Sequence, residues 1–540
     1  KKLMATAGVP VLDELNPDAV TAAALPVLVK ASAGGGGRGM RVVRDLAELP
    51  AQVDAARREA QSAFGDPTVF CERYLETGHH VEVQVLADQH GTVWAVGERE
   101  CSIQRRHQKI IEEAPSPLVE RLPGMRDKLF EAARLATSAI GYTGAGTVEF
   151  LADEDGSFYF LEMNTRLQVE HPVTELTTAL DLVELQLAVA EGARLDAEPP
   201  PARGHSIEAR LYAEDPARQW QPQPGPVHRL AVPAVACEFG LVDRLGVRLD
   251  AGVADGSQIS VFYDPMIAKV ISVAPTRRQA AMLLAQTLTR SQIHGVRTNR
   301  DLLVNVLRHP AFLGGDTDTA FLDRHNLAEL AASTVDSETV ALSAVAAALA
   351  DAAHNRATAT VLAGLPGGWR NLHSGYQCKR YRDAGGEHHE VRYRRGRDGV
   401  AIADRDDVAV VTATPNRVVL TVDGVDRPFD IARYDADVFV DTPRGGVHLT
   451  AVPRFGDPAQ ALAHGSLLAP MPGSVLRVGA DVGDHVRAGQ PLVWLEAMKM
   501  EHTITAPADG VLTELHVEPG RQVELGAVLA RVEQTEGDTA

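Results

Sequence analysis

Several groups of residues in this chain are spaced for chemistry. Lys499 lies in the run Glu496-Ala497-Met498-Lys499-Met500, and the sequence repeats about it with an offset of 37: Pro470 aligns with Pro507, Gly473 with Gly510, Gly483 with Gly520, Gly489 with Gly526 and Leu492 with Leu529. Two glycine-punctuated, strand-forming halves of this kind close into a small flattened barrel, with the lysine at a hairpin tip on the symmetry point. One ammonium displayed between two methionines suits an enzyme that must recognise and acylate a single amine. Alone, an exposed lysine is only a solvated charge; the repeat singles this one out.

Glu149 and Glu162 form a second group. They lie in two strand-like runs, 147–151 and 158–162, that flank Asp155-Gly156, a dipeptide favoured in two-residue hairpins. That turn puts Glu149 opposite Glu162, with Cβ atoms about 4.5–5.5 Å apart. Bare like charges there repel, so the pair makes sense with a divalent cation between the carboxylates and phosphate oxygens on its far side. Beyond it the alternation continues: Glu162, Asn164, Arg166, Gln168 and Glu170 share one parity and read as the polar face of a continuing strand. A solvated edge strand gives the same pattern. The order carboxylate, amide, guanidinium, amide, carboxylate would hold a metal, then a small anion, then a base.

Two further groups favour phosphate. Val27-Leu28-Val29 leads into Lys30 and the run Gly34-Gly35-Gly36-Gly37, whose bare N–H groups let a loop fold over phosphate oxygens. It is not a Walker A loop, because no lysine followed by Ser or Thr comes after the glycines. Arg105-Arg106-His107-Gln108-Lys109 concentrates positive charge in a chain of net charge -19. That cluster is either a surface loop or a focused field for phosphate or bicarbonate.

These groups need elements to position them. Up to about residue 325, helical stretches alternate with β-rich runs such as 68–74, 81–86 and 147–151, an α/β pattern. Pro199-Pro200-Pro201 marks a stiff connection, after which 207–212 and 259–263 restart strand-like alternation. From 326 to 460 an alanine-rich helix, with Leu342, Val345 and Leu349 on one stripe, precedes short strands at 408–412, 417–422 and 438–442: a helix plus an antiparallel β-barrel. Residues 461–466 read as a tether, 467–534 as the small flattened all-β domain around Lys499, and 535–540 as a tail. Arg392-Tyr393-Arg394-Arg395-Gly396-Arg397 is either a docking patch or a solvated hairpin.

The acidic balance, 53 Lys and Arg against 72 Asp and Glu, argues against a nucleic-acid binder. The four cysteines include no CxxC pair, which fits a reducing cytoplasm without disulfide framework or zinc site. No apolar run reaches membrane-spanning length, so no membrane partner is expected.

Taken together, Lys30 and the glycine run, Glu-Arg-Tyr-Leu at 72–75, Glu-Cys-Ser-Ile-Gln-Arg-Arg-His-Gln-Lys at 100–109 and Glu-Met-Asn-Thr-Arg-Leu-Gln-Val-Glu-His-Pro at 162–172 resemble biotin carboxylase, an ATP-grasp enzyme. Ala-Met-Lys-Met at 497–500 resembles the modified-lysine motif of biotin carboxyl carrier domains. The order carboxylase, barrel, carrier is similar to α subunits of acyl-CoA carboxylases of the propionyl or 3-methylcrotonyl kind. The resemblance implies an ATP-grasp region at 1–325, a domain at 326–460 that docks a carboxyltransferase β subunit, and biotin on Lys499, attached by a biotin protein ligase.

Residue by residue, the resemblance implies that Lys30, Gly36, Gly37, His80, Gln104 and His107 contact ATP and that Glu72, Arg73 and Leu75 line the adenine pocket; Arg73 stands where the family often has lysine. Glu149, Glu162 and Asn164 would hold Mg²⁺ or Mn²⁺. Lys109, Arg166, Gln168 and Val169 would hold bicarbonate, Glu170 would deprotonate it, and Arg248 would stabilise charge building on the ureido oxygen of biotin. The family also has a Rossmann-like subdomain ahead of the point where this sequence starts, so this piece alone is expected to be weak as a carboxylase; a carrier and scaffold without that activity is the alternative. The stretch 326–460 is too short for a transferase domain, which sets pyruvate carboxylase aside and calls for a hetero-oligomer with a separate β subunit that binds the acyl-CoA.

Overall fold

The computed structural model describes residues 1–32, 40–105, 108–365, 367, 375–396, 399–455, 465–497 and 500–533. The site is organised by a nine-stranded sheet that runs, edge to edge, Val235–Glu238, Gly246–Ala251, Met266–Ala274, His205–Tyr212, Gln108–Ala114, Val93–Arg105, His79–Ala87, Gly144–Ala152 and Phe158–Asn164. The antiparallel pairing of Gln108–Ala114 with His205–Tyr212 fuses the part before the triple proline to the part after it. Separate apolar clusters lie on either side of that seam. A three-stranded sheet, Arg41–Val43, Val27–Ala31 and Val69–Arg73, stands beside it and carries Lys30 and Glu72.

The helix Ser337–Ala357 carries Asp336 as its N-cap, bonded to the Thr339 N–H at 2.7 Å, and is buried from Leu342 to Asp351. Its alanines make it thin enough for an eight-stranded antiparallel sheet to wrap around it, so Leu342, Val345 and Leu349 form part of a helix enclosed on all sides. The buried Asp351 is neutralised by Lys379 and Arg433. The barrel meets the lobe before it through rings: His228 stacks on Tyr434 at 4.1 Å, and His294 stacks on Phe439 while pairing with Asp441 at 2.9 Å. Within the arginine run, Arg392 is exposed and paired with Asp404; Arg397 lies outside the described residues.

The C-terminal unit is two four-stranded sheets, and the repeat is visible strand by strand: Gly473–Val478 recurs as Gly510–Leu515, and His485–Val486 as Gln522–Val523, each at the offset of 37. Glycine is required at the equivalent first positions. A Cβ on Gly473 would lie 2.7 Å from the Glu496 carbonyl oxygen, and one on Gly510 would lie 2.3 Å from that of Glu533. Among the described residues, no helix is long and apolar enough to cross a membrane.

Three sequence expectations need correction. The hairpin joining Gly144–Ala152 to Phe158–Asn164 has three loop residues rather than two: Asp153 N donates to Ser157 O at 2.8 Å, and only Gly156 takes positive φ, at 84°. Phe150 therefore pairs with Phe160, one residue off the expected register, until a bulge at Leu161 restores it and sets Glu149 opposite Glu162. The strand ends at Asn164, so Arg166, Gln168 and Glu170 are not on a continuing ribbon; they occupy the turn before the helix His171–Thr178, whose first turn holds Pro172. The run 259–263 leaves its sheet after Ile259, with Phe262 and Tyr263 exposed.

Candidate active site

Across neighbouring strands Arg99 pairs with Glu82, Glu82 with Glu149 and Glu149 with Glu162, which lays one cation and three carboxylates in a row. Glu149 and Glu162, at one end of the row, line a cavity of about 630 Å³. Lys30, Glu72, Arg73, Leu75, His80 and Gln104 line one part of it; Lys109, Glu149, Glu162, Asn164, Arg166, Gln168 and Val169 line another. The structure thus brings together most of the residues named from the sequence. Gly36, Gly37, His107 and Lys499 lie outside the described residues. The strands Pro491–Ala497 and Met500–Thr505, which flank Lys499, pair with Ala497 opposite Met500.

Glu170 and Arg248 do not line the cavity. Glu170 is fully buried beneath it, gripped by Lys109 on one oxygen and by Arg210 Nη2 on the other at 3.0 Å. Arg248 is buried in the second lobe, where Asp250 takes Nε and Nη2 at 2.8 and 2.9 Å and Glu175 takes Nη1 at 2.7 Å. A chain links it to the cavity wall: Asp250 pairs with Lys269, whose ammonium donates to the Val169 carbonyl at 2.8 Å.

The charges hold one another in place. Burial works against the Lys109 ammonium, but the carboxylates of Glu82, Glu170 and Glu149 more than reverse it and hold its pKa well above the ordinary value. Burial pushes Glu170 up, yet Lys109, Arg210 and Arg99 together keep its carboxyl well below the usual range, so it is an anion. Glu149 is likewise pushed up by burial and brought down, to about 2, by His80 and Lys109. His80 Nε2 donates to Glu149 at 2.9 Å, and that carboxylate outweighs burial to hold the imidazole above its usual pKa. Glu72 is tied to Lys30 at 3.3 Å and to Lys1, so its carboxylate serves the lysines.

The metal expectation passes a test of fit. Asn164 Nδ2 donates to Glu149 at 2.9 Å and to Glu162 at 3.4 Å, so one amide reaches both carboxylates, and turning it end for end would present three hard oxygen donors to one point. Another group, His80, Glu82 and Glu149, has ligand atoms within 4.8 Å of one another. The Lys109 ammonium, 2.5 Å from Glu82 and 3.4 Å from Glu149, already supplies that group's cation.

Sequence reasoning missed Glu82, Arg99 and Arg210. Arg99 is wholly buried and donates to Glu82 at 2.6 Å, Gln84 at 2.8 Å, Thr174 at 2.9 Å and Thr147 at 3.1 Å, which anchors the row. The available signal was His80, Glu82 and Gln84 alternating with Val81, Val83 and Val85, a pattern that normally means one wet face.

Comparison with known proteins agrees with this geometry. Residues 4–198 match the family model "Carbamoyl-phosphate synthase L chain, ATP binding domain", 208–324 "Biotin carboxylase C-terminal domain", 338–454 "Methylcrotonyl-CoA carboxylase, alpha-subunit, BT domain" and 466–532 "Biotin-requiring enzyme". The chain is 37% identical over 576 residues to the mitochondrial methylcrotonoyl-CoA carboxylase subunit alpha of Mus musculus, covering 100% of this chain and 77% of the relative. It is 36% identical over 538 residues to the propionyl-CoA carboxylase alpha chain of Ruegeria pomeroyi, covering 94% and 78%. A crystal structure of the biotin carboxylase–beta-gamma-ATP complex from Campylobacter jejuni shares 40% identity and a TM-score of 0.56, over 60% of this chain and 72% of that one. With relatives at this identity, 77% and 78% of whose length the chain covers, and with these segments in this order, the chain belongs to the α subunits of the biotin-dependent acyl-CoA carboxylases.

Proposed function

We propose that the cavity is where ATP and bicarbonate meet and that the residues around it divide the reaction as follows. Lys30, His80, Gln104 and the glycine loop with Gly36 and Gly37 hold the nucleotide, with His107 beside its phosphates and Glu72, Arg73 and Leu75 at its base. Glu149, Glu162 and Asn164 hold Mg²⁺ or Mn²⁺, which when bound would neutralise phosphate charge. Lys109, Arg166, Gln168 and the Val169 backbone hold bicarbonate, and Glu170 removes its proton.

The observation that carries this reading is the contact of Lys109 with Glu170 directly under the paired carboxylates. A carboxylate gripped by two cations is a weak base. An anion entering between Lys109 and Arg166 would draw the ammonium toward itself and leave Glu170 with Arg210 alone, raising its basicity at the moment the proton must leave. The nucleophile made stronger in this way attacks the γ-phosphorus of ATP.

As an α subunit, the chain works with a separate carboxyltransferase β subunit. We further propose that the barrel docks that subunit, that a short-chain or branched acyl-CoA is the acceptor held there, that a biotin protein ligase modifies Lys499, and that the assembly is cytoplasmic. Bicarbonate-dependent ATP cleavage with free biotin, followed by acyl-CoA panels in the assembled hetero-oligomer, tests these assignments. Loss of bicarbonate dependence in the wild type would overturn them.

A further inference from the structure

The turn between Phe158–Asn164 and His171–Thr178 carries Arg166, Gln168, Val169 and Glu170, yet its own backbone does little to hold it. It belongs to no ladder. The hydrogen bonds it accepts from the following helix, His171 N to Gln168 O and Val173 N to Glu170 O, are long, each 3.3 Å. Groups that must converge on one small anion need a firmer frame than that.

The second lobe supplies it. Lys269, on the strand Met266–Ala274, donates to the Val169 carbonyl at 2.8 Å, in the peptide that joins Val169 to Glu170. Asp250 stands directly opposite Lys269 on the strand Gly246–Ala251 and takes the same ammonium at 3.2 Å. Arg248 then grips Asp250 at 2.8 Å and Glu175 at 2.7 Å, and Glu175 belongs to the helix that follows the turn. The path closes on itself: turn, Lys269, Asp250, Arg248, Glu175, helix, turn. Burial pushes the Asp250 carboxyl up, and Arg248 and Lys269 together bring it below the ordinary range. Glu175 is also pushed up by burial and brought down by His171 and Arg248. The charged members of the ring therefore alternate in sign, and each compensates its neighbours.

We propose that Lys269 is a positioning residue for the carboxylation: it sets the place of the Val169–Glu170 peptide, and with it the groups of the turn that hold bicarbonate. Asp250 and Arg248 hold Lys269 in turn. Lys269 does not line the cavity, so it acts through the turn. An ammonium suits the task because it has three donors, enough to bond a carbonyl and a carboxylate at once, and a charged donor binds a backbone oxygen more firmly than a neutral one. The proposal rests on the assignment of the turn as the bicarbonate site.

The test uses the full-length biotinylated subunit with free biotin, assayed for ATP cleavage with bicarbonate and ATP varied in turn. Lys269→Met keeps the length of the side chain and removes its donors, while Asp250 retains two bonds from Arg248. KM for bicarbonate is expected to rise about tenfold, the worth of one charge-assisted hydrogen bond, with KM for ATP within about twofold of the wild type. A clamp that serves stability alone gives a different pattern: a lower unfolding midpoint with KM for bicarbonate unmoved, or with both KM values raised together. Either result in a folded variant overturns the proposal. If Lys269→Met does not fold, Asp250→Asn is read by the same rule; it leaves the Val169 bond and weakens the hold behind it, so the expected rise is about threefold. A wild type whose ATP cleavage does not depend on bicarbonate would instead refute the assignment of the cavity.

Discussion

Replacing Glu170 with glutamine separates a base from a structural anchor. The side chain keeps its size in a fully buried position, and it loses one negative charge between Lys109 and Arg210. Neither cation is orphaned, since Lys109 keeps Glu82 at 2.5 Å and Arg210 keeps Glu112 at 2.5 Å. The stability loss should therefore stay below the roughly 3–5 kcal/mol that follows when a buried charge loses its only partner. The rate loss should be larger in effect: removing a positioned general base costs about 10²–10⁴-fold, or roughly 3–5 kcal/mol of barrier. Bicarbonate-dependent ATP cleavage with free biotin, read beside the thermal unfolding midpoint, distinguishes the two. A folded Glu170→Gln enzyme within about fivefold of the wild-type kcat would refute the role given to this carboxylate.

Other outcomes follow from other parts of the chain. Lys499→Arg should abolish streptavidin-detected biotin while leaving carboxylation of free biotin intact; surviving label would show that another lysine is modified. Gly510→Ala forces a Cβ to 2.3 Å from a backbone oxygen, so the carrier unit should lose on the order of 1–3 kcal/mol and become protease-sensitive, with Gly473→Ala acting in the same direction. His79 is lowered by burial but raised further by Glu100 and Glu154, to about 9 against 6.5 unfolded. Its folded pKa is the higher one, so its contribution, at most about 3 kcal/mol, is whole below pH 6.5 and lost as pH rises through 9. Denaturation midpoints at pH 6 and pH 9.5 should show that slope in the wild type and lose it in His79→Gln; equal slopes would sink the assignment.

How far the sequence carried depended on what each pattern encodes. The offset of 37 exposed the carrier because its two halves solve the same packing problem, down to glycines that must sit against the Glu496 and Glu533 carbonyls. The enclosed helix was legible only as one stripe, since Leu342, Val345 and Leu349 mark a face while the alanines between them leave the barrel's wrap unstated. Period-two alternation in His79–Ala87 puts Glu82 and Gln84 on one face, but such a pattern does not say what medium that face meets, and Glu82 was missed for that reason. All nine residues of the strand are buried, and the polar face looks into charges contributed by Arg99 and Lys109. Arg210 was invisible for a related reason: its meaning arises only from a pairing between strands about 95 residues apart in sequence.

The hairpin shows how an expected pairing can survive an unexpected turn: Glu149 does stand opposite Glu162. A one-residue change of register moves every following side chain to the opposite face. Here the loop is one residue longer than the Asp155-Gly156 pattern suggests, and Leu161 bulges out of the ladder, so the two differences cancel before Glu162 is reached. Phe158 and Phe160, which lie between loop and bulge, pack edge-on against Phe150 and belong to the apolar core. Phe158 and Phe160 face the core because they follow the loop, and Glu162 faces the cavity because it follows the bulge. The bulge is thus the junction at which one strand passes from packing the core to lining the cavity, and bulges re-aim side chains at such places.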